Sequence, residues 1–218
     1  MIGTEVDDLI IGGTETFKTK VLAPLRSRLV FGKWLSAKTD EGVKFCGRRL
    51  RQKASGAFEV DQEAYAAGLK IPKMERSRRK QVEEALTPAE IGECRAGIGA
   101  LNWLQTQTRP DLSGKSNILQ GAFPTPKVQD FLQLLAVLTE ARDTCKTKVV
   151  IQAVPWSQVR FVVTTDAAWA NLPGAKSQGA YLVFVSDPRI FDNEKATFSP
   201  LAWASHRLKR SLNSSFAA

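Results

Sequence analysis

The chain has 218 residues, of which 43% are hydrophobic and 24% are charged, a composition typical of a globular protein with a sizeable core. The longest apolar runs are too short to span a membrane, and the three cysteines and single histidine are too widely spaced for a Cys/His zinc site. The net charge of +9 favours a polyanionic partner, and the odd cysteine count favours a reducing compartment.

The amino terminus carries two adjacent carboxylates, Asp7 and Asp8, between short apolar stretches. This pattern predicts a tight β-hairpin with the acidic pair at its bend. Aspartate is common in turns, so the dipeptide alone favours a plain turn. Paired carboxylates on a rigid turn are also what a two-metal phosphoryl-transfer site requires.

The next part of the chain alternates short elements with charged segments. Its patterns predict, in order, a short helix through Leu22 and Leu29, a strand over residues 43–52, a strand over residues 57–60, a short helix after Asp61, and a linker over residues 70–86. A hairpin turn over residues 53–56 joins the two strands.

Two helix starts follow. Thr87, Pro88 and Glu90 form the pattern of a capping box and predict a helix from Pro88 to Gln105. Thr125-Pro126 predicts a second helix that reaches Arg142, and a shorter helix lies between them. Trp103 lies among the apolar positions of the first helix, so a core position is favoured over a platform against nucleic acid.

From residue 148 the periodicity changes from helical to extended. The sequence predicts strands over residues 149–151, 159–165, 180–185 and 201–205, and the start of a helix from residue 212. Asp166 comes at the end of the second of these strands.

The basic residues are clustered, and each cluster by itself is typical of a solvated surface. Together they favour contact with a phosphate backbone. The candidate nucleic-acid-binding residues are Arg48, Arg49, Arg51, Lys53, Arg76, Arg78, Arg79, Lys80, Arg109, Arg207, Lys209 and Arg210.

The order of short motifs resembles the polyprotein of copia-type long-terminal-repeat retrotransposons, from the reverse transcriptase active-site hairpin into the ribonuclease H domain. The motifs are spread over nearly the whole chain. They are Val6-Asp7-Asp8, Phe45-Cys46-Gly47, Val60-Asp61-Gln62 with Tyr65, residues 94–104, Thr108-Arg109-Pro110-Asp111-Leu112, Thr165-Asp166-Ala167-Ala168-Trp169-Ala170, Trp203-Ala204-Ser205 and Ser214-Ser215.

The resemblance implies an α+β fold in two parts. Residues 1–143 would be the remnant of a reverse transcriptase palm and thumb, and residues 144–218 would begin a truncated antiparallel sheet of the ribonuclease H type. Asp7, Asp8 and Asp166 would be catalytic ligands of Mg²⁺ or Mn²⁺. The partners would be an RNA or DNA template-primer or an RNA–DNA hybrid, with other polyprotein segments, in a cytoplasmic particle or the nucleus.

The sequence also departs from the family pattern. Glu5 stands where the family has Tyr or His, and Ala168 replaces an aspartate. We expect the chain to lack further acidic residues of both metal sites, and therefore to have little polymerase or nuclease activity alone. The alternatives are a non-catalytic, basic nucleic-acid-binding remnant and a gene fragment that does not fold.

Overall fold

The computed structural model describes residues 2–5, 8–123, 125–172 and 174–209. These residues form a mixed α+β fold, and their sheets are antiparallel. The α+β class predicted from the sequence is therefore confirmed. The helix start predicted from residue 212 lies outside the described residues.

The amino-terminal hairpin pairs β1 (Ile2–Glu5) with β2 (Asp8–Ile11), so that Ile2 faces Ile11 and Glu5 faces Asp8. This pairing confirms the predicted hairpin. Helical structure then begins earlier than predicted, because the Thr14 hydroxyl accepts a hydrogen bond from the backbone N–H of Phe17. It comprises α1 (Glu15–Phe17), a π-helical turn (Lys18–Leu22) and α2 (Ala23–Arg28).

A four-stranded sheet follows, in the order β3 (Val43–Phe45), β4 (Arg48–Gln52), β5 (Phe58–Asp61) and β6 (Val149–Ile151). The prediction of one strand over residues 43–52 is wrong. Cys46 and Gly47 have φ values of 48° and 70° and form a two-residue hairpin turn, which glycine accommodates without steric cost.

The helical part consists of α3 (Glu63–Ala67), α4 (Pro88–Gln107), α5 (Ser113–Gly121) and α6 (Val128–Asp143). The capping box of α4 is confirmed, since Thr87 and Glu90 each accept a hydrogen bond from the other's backbone N–H. The helix predicted from Thr125-Pro126 begins at Val128 instead, because the Asp130 carboxylate accepts from the backbone N–H of Lys127.

The main core lies where α4 packs against α6. Leu101, Leu104, Phe131, Leu134 and Leu138 are fully buried there, and each such side chain contributes roughly 1.5–3 kcal/mol. Gly97 permits the close approach, because an added Cβ would lie 3.0 Å from Leu134 Cδ2.

The carboxy-terminal sheet is a meander of β7 (Arg160–Leu172), β8 (Lys176–Ser186) and β9 (Ser199–Arg207). β7 continues past Asp166, so this aspartate lies within the strand and not at its end. The predicted strand over residues 149–151 is β6, which pairs with β5 of the preceding sheet. The boundary at residues 143/144 remains a prediction.

Candidate nucleic-acid interface

The acidic residues predicted as catalytic lie in two different sheets. Asp8 is exposed at the first position of β2, next to the hairpin bend. Asp166 is exposed in the middle of β7, where its Oδ1 accepts a hydrogen bond of 2.8 Å from the backbone N–H of Ala167. Asp7 lies outside the described residues, as does Arg210.

Asp166 belongs to a partly open face of the carboxy-terminal sheet. Residues directly opposite each other in an antiparallel pair share a face, and Asp166 is opposite Ala180, which is opposite Ser205. In the neighbouring row, Ala168 is opposite Gln178, which is opposite Arg207. The Asp166 face is defined by Asp166, Ala168, Ala180, Ser205 and Arg207.

The Asp166 face combines accessible backbone with one negative and one positive side chain. Asp166, Ala168, Ala180 and Arg207 are all exposed, and the alanines leave room for a ligand to approach closely. The Gln178 amide nitrogen donates to the Ser205 hydroxyl over 2.7 Å. This hydrogen bond joins the two neighbouring rows of the face. Asp166 is the one acidic residue in the sequences of β7, β8 and β9.

A second candidate surface lies on α4. Trp103 is 39% exposed, and its ring covers the β3–β4 turn, where an added Cβ on Gly47 would lie 3.1 Å from Trp103 Cζ2. The core position favoured for Trp103 is therefore wrong, since this side chain is exposed and lies outside the core cluster. The glycine turn provides room for the ring and leaves its other side accessible to solvent.

The rest of this surface follows helical spacing. Gly99 and Arg95 precede Trp103 by four and eight residues and so share its side of the helix. Open space surrounds Gly99, while the Arg95 guanidinium lies 5.7 Å from the centre of the Phe123 ring. We define the Trp103 face by Arg95, Gly99, Trp103 and Arg48, which directly follows Gly47.

Several predicted phosphate ligands are instead neutralised within the four-stranded sheet. Arg49 pairs with Asp61 and Glu63, and Arg51 pairs with Glu59 and Asp61. Lys53 and Lys148 also contact Glu59, and the hydrogen bond from Lys148 is the main cause that lowers the pKa of this carboxyl group. These cations are thus held by acidic residues of β5 and by Glu63 at the start of α3.

Arg78 and Arg109 also have internal partners. Arg78 donates to both carboxylate oxygens of Glu90, and this contact is the main cause that lowers the pKa of Glu90 to about 2. Arg109 is 2% exposed and donates to Asp111, to the backbone carbonyl groups of Ala141 and Thr144, and to the Thr144 hydroxyl. Arg109 therefore joins the end of α6 to the turn between α4 and α5.

The remaining predicted cations have no acidic partner within the described ranges. Arg79 donates to the backbone carbonyl of Met74, so its charge is also uncompensated. These candidates for phosphate contact are Arg48, Arg76, Arg79, Lys80, Arg207 and Lys209. They lie on β4, in the segment that precedes α4, and at the end of β9.

The described residues do not supply the donor set of a two-metal site. Hard divalent cations require several oxygen ligands, and no group of three or more His, Cys, Asp or Glu side chains suited to a metal occurs among the residues that the structure places. Asp166 by itself fits one ligand position. Mg²⁺ or Mn²⁺ at Asp7, Asp8 and Asp166 stays a prediction.

Comparisons with protein-family models, with curated proteins and with solved structures found no match for this chain. Among the described residues, no helix has both the length and the apolar character needed to cross a membrane. The candidate surfaces therefore depend on the geometry given above.

Proposed function

We propose that this chain is part of a retrotransposon-type reverse transcriptase with an associated ribonuclease H, and that it binds an RNA–DNA hybrid through the Trp103 face and the Asp166 face. The observation that carries the proposal is the position of Asp166. It projects from the middle of the first strand of an antiparallel meander onto a face that also presents Arg207, which has no ion pair among the described residues.

The order of elements supports the family resemblance. An amino-terminal hairpin carries Asp8 at the start of its second strand, a small sheet and two packed helices follow, and the three-stranded meander ends the described chain. In the resemblance these parts correspond to the palm hairpin, the thumb and connection, and the first ribonuclease H strands.

The chemistry of the two faces supports binding to nucleic acid. Arg48 and Arg95 can contact phosphates beside the flat ring of Trp103, and the bare backbone at Gly99 permits a strand to approach closely. Arg207 provides a cation on the same face of the sheet, two strands away from Asp166. The net charge of +9 attracts a polyanion over a longer range.

A second candidate function is non-catalytic binding of nucleic acid. It is favoured by the single carboxylate in the sequences of β7, β8 and β9, because one carboxylate holds a divalent cation weakly. Primer extension and hybrid cleavage in Mg²⁺ or Mn²⁺ separate the two functions. We expect the turnover of the wild-type protein to be no higher than that of the Asp7→Asn and Asp166→Asn variants. Clear turnover above these variants would instead support a catalytic function.

Fluorescence anisotropy with a labelled RNA–DNA hybrid of about 20 base pairs tests the binding itself. We expect Trp103→Ala to weaken binding about threefold, because a sugar on the backbone of the hybrid loses its apolar contact with the ring. Arg207→Gln should weaken it about threefold, since one phosphate contact is lost.

Matched control variants make this experiment specific. Trp156 is 86% exposed and Lys195 is exposed without an ion pair among the described residues, and neither belongs to the two faces. Trp156→Ala and Lys195→Gln should leave the affinity unchanged. Equal losses in control and test variants would mean that binding is diffuse, and wild-type protein that does not bind the hybrid would refute the proposal.

A further inference from the structure

The outer edge of β7 carries no paired strand within the described part of the chain. The meander has the order β7, β8, β9, so β8 pairs with one side of β7 and the other side is open. The opposite edge of the sheet contacts the helical part, because the backbone N–H of Ser205 in β9 donates to the Ser113 hydroxyl of α5 over 3.1 Å. An edge strand presents backbone N–H and C=O groups that can pair with a strand of another chain.

This edge has few of the features that prevent such pairing. Charged residues, proline and short length protect natural edge strands, but β7 has 13 residues and no proline. Its pairing with β8 is regular over residues 160–168. Phe161 and Val163 are 64% and 60% exposed, and the sequence from Phe161 to Thr165 carries no charge. A long, apolar and accessible edge of this kind favours a partner strand.

The two charged residues of β7 lie on one face of the strand. They are Arg160 and Asp166, and an even spacing puts both side chains on the same side of a strand. Neither forms an ion pair among the residues that the structure places. Arg160 donates to the backbone carbonyl of Val159, and Asp166 accepts from the backbone N–H of Ala167. Each charge is therefore available to a partner strand.

The sequence of β7 is complementary to itself in one antiparallel register. When two β7 strands pair with Val163 at the centre, Arg160 of each copy is directly opposite Asp166 of the other. The same register sets Phe161 opposite Thr165, a pair of the aromatic and β-branched kind that stabilises sheets. A shift of one residue would bring opposite faces of the two sheets together, and a shift of two residues would leave both charges opposite uncharged side chains.

We propose that two copies of this chain associate edge to edge through β7, with Val163 on the two-fold axis and two ion pairs between Arg160 and Asp166. The two three-stranded meanders then form one continuous antiparallel sheet. The assembly is closed, because each copy uses the same edge once.

The dimer goes beyond the proposed function and does not depend on it. Arg207 lies on β9, two strands away from the β7 edge, and so stays outside the interface. The Asp166 carboxylate is engaged by the arginine of the other copy, which is compatible with non-catalytic binding of nucleic acid.

Sedimentation velocity without nucleic acid tests the dimer. We expect wild-type protein to dimerise with a Kd on the order of 10 µM, a weak association that suits an interface of two short strands. Arg160→Glu sets two carboxylates opposite each other and Asp166→Arg sets two guanidinium groups opposite each other, so each variant should weaken dimerisation at least about tenfold.

Recombining the two charge changes tests the register. The double variant Arg160→Glu with Asp166→Arg restores both ion pairs in the reverse sense, and its Kd should return to within about threefold of wild type. An equimolar mixture of the two single variants should also dimerise, because each mixed pair again has opposite charges facing each other. A double variant and a mixture that stay as weak as the single variants would overturn this register.

A matched pair of lysine variants separates the β7 edge from the rest of the surface. Val163 and Val82 are both exposed, but only Val163 lies on the proposed axis. Val163→Lys should weaken dimerisation at least about tenfold, since two like charges would be directly opposite, and Val82→Lys should leave it unchanged. This pair decides if a charge variant loses cooperative unfolding.

Three results would overturn the proposed dimer. They are wild-type protein that is still monomeric at about 200 µM, well above the expected Kd, an assembly larger than a dimer, and equal affinities in Val163→Lys and Val82→Lys. A monomer would mean that another partner pairs with this edge or that it stays open. None of these results bears on hybrid binding, which the anisotropy experiment measures separately.

Discussion

Arg109 is a basic residue whose charged group stabilises the fold through internal hydrogen bonds. The sequence placed it among the candidate phosphate ligands, but its guanidinium is buried against the end of α6. Arg76 carries the same charge in an exposed position with no ion pair among the described residues. Composition alone does not distinguish these two arginines, because the difference arises from tertiary packing.

We expect Arg109→Met to lower the free energy of unfolding by about 2–3 kcal/mol, since the carbonyl groups of Ala141 and Thr144 would lose their donor. Arg76→Met should change it by less than about 0.5 kcal/mol. Urea denaturation at neutral pH measures both values. Equal stability of the two variants would contradict the structural role of Arg109.

Trp103 and Gly47 show what could be found at the residue scale. The spacing of apolar residues correctly predicted helix α4. It could not reveal that the Trp103 indole lies over the glycine turn between β3 and β4. A glycine before Arg48 was the available signal for that turn. The contact between them joins residues more than fifty positions apart, which a local pattern does not encode.

At the scale of elements, the start of α4 combines a local and a distant interaction. Glu90 completes the capping box with Thr87 and also binds Arg78. The sequence predicted the capping box, because its residues lie within one turn. It did not predict the ion pair between Arg78 and Glu90, because that contact depends on how the segment before α4 folds against the start of the helix.

This ion pair gives stability a defined pH dependence. The pKa of Glu90 is lowered to about 2 from an ordinary value of 4.5, so folding favours the ionised form. The stabilisation is fully present above pH 4.5 and is lost as the pH falls towards 2. We expect Glu90→Gln to be less stable than wild type at pH 7 and to approach it near pH 2.

Urea denaturation of both proteins between pH 7 and pH 2 measures this difference. Glu93→Gln is a suitable control, because Glu93 is exposed on the same helix and has no ion pair within the described part of the chain. It should follow wild type at every pH. A stability gap between Glu90→Gln and wild type that does not narrow in acid would contradict the interpretation.

The strands show the same division between local and distant information. The sequence located β5, β6, β8 and β9 within a few residues, because alternation and β-branched residues are local signals. It did not show that β6 pairs with β5, since strand pairing is set by the packing of α4 to α6 between them. The exposed row around Asp166 likewise became visible only from the register of β7 with β8 and β9.

At the scale of the whole molecule, the structure reduces the number of cations available to a polyanion. Of the twelve basic residues predicted to bind nucleic acid, Arg49, Arg51, Lys53, Arg78 and Arg109 have acidic partners in the fold. The six described cations that remain lie on β4, in the segment that precedes α4, and at the end of β9. The number of clustered basic residues therefore overstates the cations that can contact phosphate, whereas the net charge of +9 already includes their acidic partners.

The dependence of hybrid binding on salt tests the central claim most directly, because the slope of log affinity against log salt concentration counts the phosphates that are neutralised. Contact through the six predicted cations that lack an acidic partner among the described residues predicts a slope of about −5. A slope near −10 would mean that the internally paired arginines also bind phosphate. A slope near zero would contradict binding to the nucleic-acid backbone.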